Sequence, residues 1–118
     1  MTTQEVANRL VELARQGKIE EILKELFAQN AVSIEPNEMM GAKQVSGLPA
    51  IIEKGKMFES MLEEFHGANI SDPLVTKDYF TITWMLDATM KGRGRMQMEE
   101  ICVYKVENGK IVSEQFFF

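Results

Sequence analysis

A single cysteine, Cys102, means that this 118-residue chain can form no internal disulfide, and nothing in it calls for an oxidising compartment. A single histidine, His66, cannot build a metal site alone. Glu35, Glu38 and Asp87 are the available companions, but no ligand spacing ties them together, so no metal is expected. Apolar runs never approach membrane-spanning length. Met1-Thr2-Thr3-Gln4-Glu5 lacks the basic-then-apolar order of a signal peptide, so a cytoplasmic location is expected. Repeats, linkers and low-complexity segments are missing. Positive charge is in short supply: 13 Lys and Arg face 18 Asp and Glu, a net charge of −5. That balance repels phosphate backbones and anionic lipid heads, so neither nucleic acid nor a membrane surface is expected as a partner. The one basic cluster, Lys91-Gly92-Arg93-Gly94-Arg95, could hold a phosphate, but its two glycines read more simply as a solvated hairpin loop.

What is present is an ordinary globular composition, with 45% hydrophobic and 26% charged residues. The length suits a single domain over residues 1–118 with a core of its own. Thr2 and Glu5 have capping-box spacing. Val6, Leu10, Leu13 and Ala14 then recur at helical intervals up to a stop at Gly17. Ile19, Ile22, Leu23, Leu26 and Phe27 form the stripe of a second helix. Ala31 to Pro36 reads as a short strand, with Val32 and Ile34 alternating against Ser33 and Glu35. Residues 37–47 read as a loop. A third helix starts near Pro49, a favourable first-turn proline, with Ile51, Ile52, Met57, Phe58, Met61 and Leu62 on its buried side. Strands follow over Phe65–Ser71, Tyr79–Met90, Arg95–Val106 and Lys110–Phe118, the last two joined at Asn108-Gly109. Helices first and antiparallel strands afterwards give an α+β architecture.

Strand alternation exposes the most informative residues. Phe80, Ile82, Trp84, Leu86, Ala88 and Met90 form an all-apolar row. In the next strand Met96, Met98, Glu100, Cys102, Tyr104 and Val106 share a row with one acid embedded in it. In the last strand Val112, Glu114, Phe116 and Phe118 repeat that pattern. An ionisable group among apolar neighbours must find partners, shift its pKa or face a cavity. A three-residue loop ending in a left-handed Gly109 would set Glu114 opposite Cys102 and Glu100 opposite Phe116, both acids on one face. A two-residue Asn108-Gly109 turn slips the register and separates them. The first is expected, because it puts both apolar rows on one side. Phe116-Phe117-Phe118 loads both faces of the last strand with aromatics, which suits a pocket on one face and a second subunit on the other; the rival reading, a flexible tail with exposed phenylalanines, carries an aggregation risk.

Several stretches together resemble the SnoaL-like and ketosteroid isomerase-like branch of the nuclear transport factor 2-like superfamily. They are Leu26-Phe27-Ala28-Gln29-Asn30-Ala31-Val32, Glu35-Pro36, Ser46-Gly47, and Val103-Tyr104-Lys105-Val106-Glu107-Asn108-Gly109-Lys110-Ile111-Val112. The resemblance implies a cone: three N-terminal helices packed into the concave face of a strongly bent antiparallel or mixed sheet. Ketosteroid isomerase uses an aspartate base before a proline, a position that falls on Glu35 here. Its two oxyanion donors, a tyrosine and a protonated aspartic acid, fall on Leu10 and near Cys102. A possible base is kept and the strong donors are not, so steroid isomerisation by that route is not expected.

The expectation is a homodimeric cone-fold protein that binds a small, largely apolar organic molecule without a cofactor. Its candidate catalytic groups are Glu35, Glu100, Glu114 and His66, each with a structural reading as well: the acids as hydrogen-bond acceptors, His66 as a surface or hydrogen-bonded histidine. Trp84, Tyr104, Met98, Cys102, Phe116, Met40 and Leu10 are expected to line the pocket, and serve an ordinary core equally well. An isomerase, cyclase or hydratase is one reading of the function. A non-catalytic binding or interaction module is the other.

Overall fold

A computed structural model describes residues 1–39 and 41–118. Met40, assigned above to the pocket wall, lies outside the described residues. The elements run α1 (Thr3–Arg15), α2 (Ile19–Leu26), β1 (Phe27–Ile34), β2 (Gln44–Ser46), α3 (Leu48–Ser60), β3 (Leu62–Ile70), β4 (Leu74–Val75), β5 (Tyr79–Met90), β6 (Gly94–Glu107) and β7 (Lys110–Phe117).

Local chemistry sets the helix limits. The Thr2 hydroxyl accepts from the Glu5 amide while the Glu5 carboxylate accepts from the Thr2 amide, the reciprocal capping box. Gly17, at φ 73°, turns the chain out of α1. Leu48 and Pro49 open α3.

The sheet order is β2-β1-β7-β6-β5-β3, with β4 also on β5. β1 and β7 run parallel and the remaining pairs antiparallel, so the sheet is mixed and unclosed. Bulges interrupt the β1–β7, β3–β5 and β6–β7 ladders, and each bends its strand. α1 crosses β3, β5 and β6 while α3 covers β1 and β2. Between them lies one core of Val6, Leu10, Leu13, Leu26, Phe80, Ile82 and their neighbours. This is the expected α+β architecture of helices on one face of a bent sheet.

Some boundaries differ from expectation. Phe27 opens β1 rather than closing α2, because its side chain continues the buried apolar set equally well in either geometry. β1 therefore begins four residues before Ala31. Within the expected loop at 37–47, Gln44–Ser46 pairs with β1; three residues are too few to show alternation. Met57 is 60% exposed rather than buried, and Leu62 belongs to β3 rather than α3. β3 itself starts three residues before Phe65.

The final hairpin corrects the expected register. Asn108 and Gly109 have φ values of 51° and 75°, the two positive angles of a two-residue hairpin turn. Glu107 therefore pairs with Lys110 and Val106 with Ile111. Gly109 is required on a second count: a Cβ there would lie 3.0 Å from the Met1 backbone. A bulge then skips Val112, so that Lys105 pairs with Ser113, Tyr104 with Glu114 and Cys102 with Phe116. The turn separates the acids by one step and the bulge restores the parity. Glu100 and Glu114 share a face, as expected, but not through the expected loop.

Candidate functional site

The inner face of the sheet collects the embedded acids. Cross-strand partners in an antiparallel pair share a face, and β5 sets Phe80, Ile82, Trp84, Leu86 and Ala88 opposite Tyr104, Cys102, Glu100, Met98 and Met96. β7 adds Phe116 beside Cys102 and Glu114 beside Tyr104. The parallel pairing with β1 sets Ser33 next to Glu114. Leu10 of α1 closes this face from above, fully buried.

α3 contributes the residue that organises the acids. The Lys54 Nζ lies 2.7 Å from Glu35 Oε1 and 2.5 Å from Ser33 Oγ. The Ser33 hydroxyl donates onward to Glu114 Oε2 at 2.6 Å. Lysine has no acceptor, so Ser33 must accept from Lys54 and spend its one proton on Glu114. The chain Glu35–Lys54–Ser33–Glu114 thus has a fixed direction. Ser33 and Glu114 are the two buried polar residues among those described, and they satisfy each other.

Burial shifts the two acids of β6 and β7. Desolvation pushes the Glu114 carboxyl up, against the Ser33 hydrogen bond and the Lys54 charge that favour its ionised form. Desolvation pushes Glu100 from 4.5 up to about 7, with the Cys102 thiol opposing the rise and the Glu35 and Glu114 charges adding to it. The Cys102 Sγ is 3.6 Å from Glu100 Oε1. Burial also raises the Cys102 thiol and the Tyr104 phenol far above their ordinary ranges, so Cys102 is no nucleophile. Tyr104 stacks on Phe80 with ring centroids 4.7 Å apart.

His66 is placed apart from this group. Its Nε2 lies 2.7 Å from Thr89 Oγ1, on the outer row of β5, with Glu64 3.9 Å away. Asp87 on the same outer row takes a bidentate hydrogen bond from Arg95 at 3.1 and 2.9 Å. Of the four candidate catalytic residues, three therefore gather on the inner face and His66 stands on the other. Among the described residues no three His, Cys, Asp or Glu side chains converge as metal ligands.

Lys54 and Ser33 escaped the sequence reading. The signal for Lys54 was there: it lies three residues after Ile51 and four before Phe58, a cation in the buried stripe of α3, as Glu100 is an acid in the buried row of β6. Two surface depressions stand out, and neither encloses the acids. One lies beside Arg15 and Asp72. The other, about 550 Å³, is lined mainly by outer-row residues including Thr83, Met85, Ile101 and Phe117, and reaches Trp84 and Glu100. No helix among the described residues is long and apolar enough to cross a membrane.

Three helices on an unclosed mixed sheet are the architecture of the cone-shaped α+β proteins. The sequence profile of the SnoaL-like domain matches residues 1–118, and the chain belongs to that family. A Mesorhizobium loti protein, named among SnoaL-like polyketide cyclases and also as a carbohydrate phosphatase, is 31% identical. It superposes with a TM-score of 0.93 over 100% of both chains. An NTF2-like protein of unknown function from Burkholderia pseudomallei is 15% identical with a TM-score of 0.80, over 100% of this chain and 92% of that one. TerC, co-crystallised with polyporic acid, is 15% identical with a TM-score of 0.74, over 97% and 88%. The last two show the fold alone. No curated protein matches the chain.

Proposed function

We propose that the inner face of this protein receives a small, largely apolar organic molecule and acts on it by cofactor-independent acid–base chemistry, as an isomerase, cyclase or hydratase. One observation carries this reading: an acid paired with a cation and an unpaired, desolvated acid share one face of the sheet. Glu35 is ion-paired with Lys54 at 2.7 Å, while burial raises Glu100 to about 7. A carboxyl group that exchanges its proton near neutral pH, as Glu100 does, is what general acid–base catalysis needs. Trp84, Met98 and Phe116 supply an apolar wall beside them, and methionine lends that wall adaptability. The cyclase name carried by the 31% identical relative points the same way.

The competing reading is a non-catalytic binding or interaction module with structural acids. The mutual satisfaction of Ser33 and Glu114 favours it for that pair. A thermal-shift screen of small aromatic ketones, phenols and hydroxyquinones separates the two. Ligands that stabilise the wild type and lose their effect in Glu100→Gln support the site. Hits indifferent to that change remove Glu100 from it.

The outer face fits a second copy of the chain. Tyr79, Ile101 and Phe117 are each about half exposed, and Met85 and Val103 lie among them on the same rows. Aromatic and aliphatic side chains on an open sheet face suit an isologous interface. Light scattering tests this: a stable monomer at micromolar concentration refutes it.

A further inference from the structure

The Lys54 ammonium has three N–H donors. Ser33 Oγ and Glu35 Oε1 take two of them. No third oxygen acceptor is found among the described residues. The Phe116 ring lies 5.2 Å from Nζ and shields the cation from water on that side. Two hydrogen bonds and a ring contact fix the head group, so the remaining donor has a set heading. The side chain is part-buried, with 22% of its surface open. A held cation in a partly dry setting binds an oxygen more strongly than a solvated lysine does, because nothing must reorganise when the oxygen arrives.

The rest of the face lacks an equivalent. Leu10 has no donor, and the Cys102 thiol is a weak one already directed at Glu100. The Tyr104 phenol is buried. Lys54 is also the one cation among the described residues of the cluster, facing Glu35, Glu100 and Glu114. Glu35 contacts it at 2.7 Å, and the spare donor is left for a polarised carbonyl or an anionic oxygen.

We propose that Lys54 holds an oxygen of the bound ligand through its spare N–H, and that the ligand class is an apolar body carrying a carbonyl, enolate or phenolate oxygen. This rests on the reading of the inner face as a ligand site. Lys54 then supplies, from α3, the oxyanion contact that positions 10 and 102 cannot.

Paired probes test it: 4-nitrophenol, and 4-nitroanisole, which has the same body with the oxygen methylated. The wild type is expected to prefer 4-nitrophenol by roughly tenfold or more, the worth of a charge-assisted hydrogen bond. It should also bind the probe as the yellow phenolate at a pH where free probe is half protonated. Lys54→Met should abolish the preference and the colour shift, bringing 4-nitrophenol down to the affinity of 4-nitroanisole. Because that variant strands Glu35, the Glu35→Gln/Lys54→Met double variant, checked for folding by circular dichroism, is the second arm. Lys54→Arg should retain part of the preference. If the folded double variant keeps the full preference, or the wild type binds both probes alike, Lys54 is not the oxygen holder while the face remains a ligand site. If neither probe binds the wild type at millimolar concentration, both readings fall together.

Discussion

The two faces of the β5–β6–β7 sheet carry acids shifted in opposite directions, and the cause is position rather than residue type. On the inner row Glu100 and Glu114 sit among Trp84, Cys102, Tyr104 and Phe116, and desolvation raises both. On the outer row Asp87 meets the fork of a solvent-exposed Arg95, and the hydrogen-bonded guanidinium holds it below the usual aspartate range. Adjacent positions on a strand point to opposite faces, so one residue of register decides whether an acid is burdened or supported. The bulge at Val112 is the device that puts Glu114 on the burdened side.

The largest expected effect comes from breaking the inner charge pair. Lys54→Met leaves Glu35 and the Ser33–Glu114 pair without their cation. Both partners of the salt bridge are mostly shielded, at 22% and 16% side-chain exposure. The loss should be about 2–3 kcal/mol, between the values for surface and fully buried pairs. The Glu35→Gln/Lys54→Met double variant should recover most of it, since no charge is then left uncompensated. Urea unfolding measures both; equal destabilisation of single and double variants would show that Lys54 acts through packing alone.

Glu100→Gln should have an effect of similar size but opposite sign, and only at higher pH. The folded carboxyl titrates near 7 and the unfolded one near 4.5. In that window the folded state binds the extra proton, so wild-type stability falls as pH rises from 4.5 to about 7 and is flat beyond. Glu100→Gln mimics the protonated form and should therefore be more stable than wild type at pH 8, with the gap closing at pH 4.5. A constant gap across that range would show that Glu100 is not desolvated.

Much of this was legible beforehand, and the failures have physical causes. The all-apolar row of β5 and the one-acid row of β6 follow from period-two alternation over long strands, where the signal repeats six times; the shorter row of β7 holds only from Glu114 onward, since the bulge drops Val112 from it. The shared face of Glu100 and Glu114 came out right through a wrong turn, because a bulge leaves no trace in composition and two register changes cancelled. Phe27 was misassigned because an apolar residue at a helix–strand junction satisfies both periods. Lys54 was missed because an amphipathic helix is expected to carry lysines, so a cation in the buried stripe draws less notice than an acid in a strand. His66 was grouped with the acids on its chemistry, and only its 2.7 Å contact with Thr89 places it on the outer row.

The smallest expected effect is the outer-face counterpart. Asp87 has a depressed folded-state affinity for the proton, owed first to the Arg95 hydrogen bond. Its contribution to stability is therefore present above the ordinary aspartate value of 3.8 and is lost as pH falls through the folded value. Asp87→Asn should be slightly less stable than wild type at neutral pH, with the difference vanishing in acid. That is the mirror image of Glu100→Gln, whose difference vanishes in acid but favours the variant. Salt should weaken the Asp87 effect, since the Arg95 side chain is 63% exposed, and leave the Glu100 effect nearly untouched, because desolvation is not screened. Parallel thermal melts of the two variants at pH 8, pH 4.5 and about pH 2, in low and high salt, compare the faces directly: the Glu100→Gln gap should close between the first two, and the Asp87→Asn gap only below 3.8. Two variants that respond to pH with the same sign would mean that the faces do not differ in the way the register implies.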